Sequence, residues 1–131
     1  EKMKYLMTAL ICLCMLLFVP NAAADANRVW EKGATIVTSY VCRDEKSIMK
    51  VVEADMKNEE EVRAKIYALA SLNRCVGIPM PLPFYVLDLL VEYKDFRKVN
   101  TLVFSVAKVT EPDTHLGYVL AEGTYKNDKG I

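Results

Sequence analysis

Two cysteines, Cys42 and Cys75, constrain the fold of this chain more than any other feature of its sequence. They bracket a stretch in which apolar residues recur at helical spacing. In an exported protein such a pair normally forms a disulfide, which requires the two Cα atoms to lie within about 7 Å of each other. The chain between them must therefore turn back on itself. The alternative is a free thiol, although no CxxC pair or zinc-type cysteine–histidine spacing accompanies it.

The N-terminal sequence predicts export. Lys2 and Lys4 precede an apolar run over residues 6–19, and three alanines at 22–24 provide the small-residue signature of a cleavage site. The run is shorter than the roughly 20 residues that a membrane-spanning helix needs. We predict a signal peptide over residues 1–24 and a periplasmic or extracellular protein.

Two alternatives stay open at this end of the chain. Cleavage could follow Ala26 instead of Ala24, or residues 5–20 could be kept as a membrane anchor. Removal of the signal peptide would also remove Cys12 and Cys14. Cys42 and Cys75 would then be the only cysteines of the mature protein.

The mature chain, residues 25–131, has the size of a single small domain. Of the 17 acidic and 17 basic side chains, Glu1, Lys2 and Lys4 leave with the signal peptide, so 16 acids remain beside 15 bases. A nucleic-acid-binding surface is strongly basic, and the sequence has no basic stripe. We therefore predict no nucleic-acid partner.

Residue patterns within the domain predict an α+β fold. A strand over 35–41 ends at Cys42, and two helices follow, one within 43–57 and a second that starts at the capping residue Asn58. Because two such helices joined as a hairpin return the chain to its starting point, they would bring Cys75 back to the first cysteine.

Three later segments are rich in β-branched and aromatic residues. With the first strand they predict a small antiparallel sheet on which the helical hairpin packs. The polar segments 25–34 and 123–131 are expected to lie outside this sheet, as a leader and a frayed tail. The predicted strands are 35–41, 84–93, 101–109 and 116–122.

Between the second helix and the sheet, a proline occupies every second position. Proline cannot donate to a β-ladder, so this spacing favours a sheet edge or a stiff connector. Ligands of aromatic grooves repeat proline with period three, which this run lacks. The alternative is an interaction strip formed by Ile78, Pro79, Met80, Pro81, Leu82 and Pro83.

Few side chains suggest catalysis. His115, the only histidine, lies in a polar turn and is predicted to be exposed. Residues 59–61 place Glu59, Glu60 and Glu61 in a first helical turn, where negative charge stabilises the helix dipole. Asp88 interrupts an apolar run, so we expect it to be buried beside a cation, and Glu92 lies four residues on. We predict no catalytic, cofactor-binding or metal-binding residue, and no cofactor.

The order of these motifs resembles a loose group of short exported proteins of unknown function from bacteria and their phages. The shared features are a signal peptide, one cysteine before a helical segment, a second before a proline-rich stretch, and two later strand motifs. Here they are Cys42, Cys75, Pro79–Pro83, Val86–Asp95 and Tyr118–Leu120. The β segments after the second cysteine are also similar to small SH3-like barrels. The resemblance implies a partial barrel, an envelope or extracellular location and no known activity.

These features predict a small non-enzymatic binding module of the cell envelope, whose partner is an envelope protein or a glycan. One alternative is a membrane-anchored protein that keeps residues 5–20, and only then is a membrane partner expected. The other is a hydrolase of cell-wall or sugar substrates that acts through a carboxylate pair, with Asp88, Glu92 or the Glu59–Glu61 cluster as the candidates.

Overall fold

The structure, a computed structural model, describes residues 26–126 apart from the side chain of Pro81. The predicted signal peptide and the alternative anchor lie outside the described residues. Within residues 26–126 no helix is long and apolar enough to cross a membrane. The elements, in chain order, are β1 Val29–Trp30, β2 Thr35–Cys42, α1 Glu45–Asp55, α2 Glu59–Ser71, β3 Cys75–Lys94, β4 Asn100–Lys108, β5 His115–Glu122 and β6 Thr124–Tyr125.

Strands β2 to β5 form an antiparallel sheet that closes into a barrel in the order β2-β3-β4-β5. Its closure, between β2 and β5, rests on one residue pair, Cys42 opposite Tyr118. Strand β4 contributes to two cores, because Phe104 belongs to the core formed by the four barrel strands and Val103 to the core beneath the helices. The predicted α+β class and small antiparallel sheet are therefore confirmed.

The two helices form the predicted hairpin and pack against the sheet. Asp44 caps α1 by accepting a hydrogen bond from the Ser47 backbone amide at 2.7 Å, and Asn58 caps α2 by accepting one from the Glu61 amide at 2.8 Å. Most of the buried helical side chains come from α1, since α2 buries Leu69 alone. The core beneath the hairpin consists of Cys42, Ile48, Val51, Val52, Leu69, Cys75 and Val103.

The disulfide between Cys42 and Cys75 is confirmed. The two residues lie opposite each other on β2 and β3, and their Sγ atoms are 2.07 Å apart. The bond joins the strand before the helical hairpin to the strand after it, and both cysteines are buried in the core that the hairpin covers. A buried disulfide is compatible with an oxidising, exported location.

The described parts of the leader and the tail lie outside the four-stranded sheet, as predicted, but they form a two-stranded sheet of their own, so the expectation of a frayed tail is wrong for residues 123–126. Strands β1 and β6 pair in parallel, with Trp30 beside Tyr125. The Trp30 side chain is fully buried in the barrel core, and its Nε1–H donates to the Glu122 carbonyl at 2.9 Å. Burial of the large apolar surface of the Trp30 indole favours packing of this otherwise polar segment against the barrel.

The proline-rich segment is not a connector, because β3 begins at Cys75, nine residues earlier than predicted. The segment lies within β3, and its first part forms a bulge. Between the pairs Thr38–Leu82 and Tyr40–Gly77, residues 78–81 of β3 face a single residue of β2. The two prolines within the bulge have no backbone N–H, so they cannot continue the ladder there.

The turn between β3 and β4 is held by the buried carboxylate of Asp95. One oxygen accepts the backbone amides of Arg97 and Val99 at 2.8 and 3.0 Å, and the other accepts the Arg97 guanidinium at 2.7 Å. The same guanidinium donates to Glu122 of β5 at 2.6 Å. Burial acts to raise the pKa of the Asp95 carboxyl, but its hydrogen bonds outweigh burial and leave that pKa below its usual value.

The substitution Asp95→Asn is expected to lower the free energy of unfolding at neutral pH by about 2 kcal/mol, because the charge-assisted bonds are lost. A carboxyl whose pKa is lowered by folding stabilises the protein above its unfolded pKa, near 4, and this contribution is lost as the pH falls through the folded pKa. The difference between wild type and variant should therefore shrink below about pH 4, as measured by urea unfolding.

The matched control for this experiment is Asp88→Asn, which changes an exposed aspartate on β3. We expect it to alter the free energy of unfolding by less than about 0.5 kcal/mol at every pH. A difference between wild type and Asp95→Asn that stayed constant on acidification would contradict the assigned role of the Asp95 charge.

Candidate functional site

An apolar cavity of about 570 Å³ opens at one end of the barrel. This volume lies within the range of small-molecule sites, about 300–1,000 Å³. The wall is contributed by the end of β2, the first half of β3, the end of β4 with the residues after it, and the start of β5. Its lining residues are Val41, Arg43, Val76, Ile78, Leu82, Pro83, Phe84, Lys108, Val109, Thr110 and Leu116.

Two bulges shape the wall of this cavity. The first is the proline-containing bulge of β3, which is bounded by Leu82 and begins with Ile78. The second lies in β5, where Leu116 is the extra residue between the pairs Val106–Gly117 and Ala107–His115. Bulges redirect side chains out of the regular alternation of a strand, and here each bulge places apolar side chains in the cavity wall.

The cavity has a buried floor and an exposed mouth. Val41 and Phe84 are 5% and 3% exposed and also belong to the barrel core, so the space ends where that core begins. Leu82 and Leu116 are 53% and 37% exposed and lie towards solvent. An apolar group that entered would remove both the floor and these exposed side chains from water, which is favourable.

Two cations, Arg43 and Lys108, border the apolar lining, and both are exposed. Arg43 donates to the Asn73 side-chain oxygen at 3.3 Å. Within residues 26–126 neither cation forms an ion pair with a carboxylate, and the cavity lining contains no aspartate or glutamate. The mouth therefore presents positive charge beside an apolar surface.

A separate polar cluster lies at the C-terminal end of α1. The Tyr93 hydroxyl donates to the Asp55 carboxylate at 2.6 Å, and the Phe96 backbone amide donates to the Asp55 carbonyl at 2.9 Å. Burial raises the pKa of Asp55, although the bond from Tyr93 opposes the rise, and burial also raises the pKa of Tyr40 and Tyr93. None of these residues lines the apolar cavity. We interpret the cluster as a structural contact that holds the end of α1 against β3.

The cavity brings together half of the predicted interaction strip. Ile78, Leu82 and Pro83 line it, whereas Met80 lies outside the lining and is 70% exposed. Pro79 is exposed, and the side chain of Pro81 is outside the described part of the structure. Binding by this strip stays a prediction.

The expectation that Asp88 is buried beside a cation is wrong. A register shift follows Val86, and Asp88 is exposed to solvent although Leu89 packs against the barrel core. Glu92 is also exposed and accepts the Asn100 side-chain amide at 2.6 Å. Neither carboxylate lines the apolar cavity.

The remaining polar candidates lie away from the cavity or outside its lining. Glu59 pairs with Arg63 at 3.2 Å on the exposed surface of α2, and Glu60 and Glu61 border a depression formed by that helix alone. His115 is exposed, as predicted, with its ring centroid 4.9 Å from that of Tyr118. Within residues 26–126, no group of three or more histidine, cysteine, aspartate or glutamate side chains is placed to hold a metal ion.

Sequence reasoning missed Arg43, Lys108 and Leu116 as residues of one site. They lie on three different strands or strand ends, and only the closure of the barrel brings them together. One local signal was present. Arg43 directly follows the bridged Cys42, so the residues beside the disulfide were candidates once the bond was predicted.

No protein-family model matches this chain, and no curated protein or solved structure is significantly similar to it.

Proposed function

We propose that this protein is a small exported binding module of the cell envelope, without an enzymatic activity, and that its binding site is the apolar cavity at the barrel end. The observation that carries the proposal is the preformed space of about 570 Å³ between a buried floor and an exposed apolar mouth. Exposed apolar surface of this kind is costly in water and is typical of binding sites.

The position of the disulfide supports this assignment. Val41 and Arg43 flank Cys42, Val76 follows Cys75, and all three flanking residues line the cavity. The bond therefore ties together two neighbouring parts of the wall, on the paired strands β2 and β3. Because the disulfide restrains this part of the wall, less conformational entropy is lost when a ligand binds, which favours affinity. The disulfide and the resemblance to exported envelope proteins support the exported location.

The test is a fluorescence titration of the exported protein with N-phenyl-1-naphthylamine, a neutral apolar probe. We expect saturable binding, because the probe can remove the mouth and floor from water. The substitutions Leu82→Gln and Leu116→Gln together should weaken binding roughly tenfold or more, since each removes apolar contact area.

Leu90→Gln is the matched control. Leu90 and Leu116 are each 37% exposed and lie in strands, but Leu90 does not line the cavity. The control variant should bind the probe as tightly as wild type. Absence of saturable binding, or equal loss in the control, would refute the cavity as the binding site.

A further inference from the structure

We infer that the cavity takes a single-chain amphiphile with an anionic head group, such as a long-chain carboxylate. This inference rests on the proposed function and adds the chemistry of the ligand. It follows from three features of the cavity: the closed apolar end, the character of every polar side chain in the lining, and the charge at the mouth.

The closed end determines which part of the ligand enters. Below Val41 and Phe84 the barrel is filled by core side chains, among them Val106 and Val119. A ligand therefore cannot pass through the barrel and must enter and leave by the same mouth. An aliphatic tail can occupy the closed end of the cavity without burying any polar group, while a polar head group at the mouth stays in contact with water.

The polar side chains of the lining determine the head group. Only three are present, Arg43, Lys108 and Thr110, and each can donate hydrogen bonds. The guanidinium can bind a carboxylate or phosphate through two parallel bonds, and the ammonium adds a point charge. Because no carboxylate lines the cavity, the site itself offers no anion for these groups.

The positive charge is local. The mature chain would carry 16 acidic and 15 basic side chains, so its overall charge does not attract anions. A second copy of the chain that covered this mouth with the same surface would add its own Arg43 and Lys108 to the interface and no carboxylate from the lining, so like charges would accumulate there. A neutral apolar ligand would leave both cations without a counter-ion, since within residues 26–126 the Arg43 guanidinium has only its hydrogen bond to the neutral Asn73 side chain. An anionic head group satisfies both.

The experiment measures displacement of N-phenyl-1-naphthylamine from the exported protein by dodecanoate and by dodecanol, which have the same chain length. At low ionic strength dodecanoate should bind roughly tenfold more tightly than dodecanol, because its head group forms charge-assisted bonds. Salt at about 0.5 M should remove much of this difference, since the two cations are exposed. The double variant Arg43→Gln/Lys108→Gln should bind dodecanoate no more tightly than dodecanol.

The matched control is Lys57→Gln/Lys94→Gln, which removes the same net charge from exposed positions outside the cavity and should bind dodecanoate like wild type. Equal affinity for dodecanoate and dodecanol would overturn the head-group inference, and so would an equal loss of dodecanoate affinity in both double variants. In either case, binding of the probe would still support the cavity as an apolar site. Failure of the probe itself to bind would instead refute the proposed function.

Light scattering tests whether a second copy of the chain covers the mouth. A mass of two chains that Leu116→Gln reduces to one would show that it does, and would also overturn the inference.

Discussion

Replacing Cys42 and Cys75 together by alanine is expected to lower the free energy of unfolding by about 3–4 kcal/mol. The disulfide joins residues separated by 33 positions, and a closed loop of this length restricts the unfolded chain by about that amount. For a protein of this size the loss is a large fraction of the total stability. Thermal unfolding should shift down by roughly 15–25 °C, as measured by circular dichroism.

Alanine is the suitable replacement because both cysteines are almost fully buried, and a serine hydroxyl would add an unpaired polar group. The control is chemical reduction. A reductant should lower the stability of the wild type towards that of the double variant and leave the double variant unchanged. A double variant within about 1 kcal/mol of wild type would mean that the bond contributes little beyond the packing around it.

The substitution Gly117→Ala is expected to lower the free energy of unfolding by about 3 kcal/mol, at the upper end of overpacking effects. A Cβ atom at this position would lie 2.4 Å from the Cys42 carbonyl oxygen and 2.6 Å from a Val41 methyl group. The carbonyl belongs to the backbone of β2 beside the pair that closes the barrel, so it cannot move without opening the closure. Urea unfolding of wild type and variant measures the difference.

Gly77→Ala provides the matched control. Gly77 also lies in a barrel strand and pairs with β2, but a Cβ atom there would meet nothing within 4 Å. This variant should be as stable as wild type or more stable by up to about 1 kcal/mol, since alanine reduces the freedom of the unfolded chain. Equal destabilisation by the two alanines would show that the close approach at Gly117 is not the cause.

The local parts of the fold could be predicted from the sequence. Helical spacing and the cap at Asn58 determine the hairpin, and the hairpin explains why Cys42 meets Cys75. These features depend on residues close together in the chain or on a covalent bond. The strands β4 and β5 were also predictable, to within a residue at each end, because their β-branched and aromatic composition is continuous.

The parts that depend on distant contacts could not be predicted. Trp30 lies in a polar segment, and its burial depends on Phe104 of the barrel core and on Tyr125 of β6, which lie more than 70 residues later in the chain. The bulge of β3 arises because Pro79 and Pro81 cannot continue the ladder with β2, and the proline spacing alone does not reveal that this segment pairs with β2. The cavity is the product of this bulge, the bulge at Leu116 and the barrel closure, so its residues share no sequence motif.

The single pair that closes the barrel has a consequence for solubility. Away from Cys42 and Tyr118, β2 and β5 do not pair with each other, so each retains backbone groups that another chain could bond. Helix α1 packs against both strands along this seam. The hairpin should therefore limit the access of a neighbouring molecule to these strands near their closing pair, and the disulfide fixes the two ends of the hairpin there.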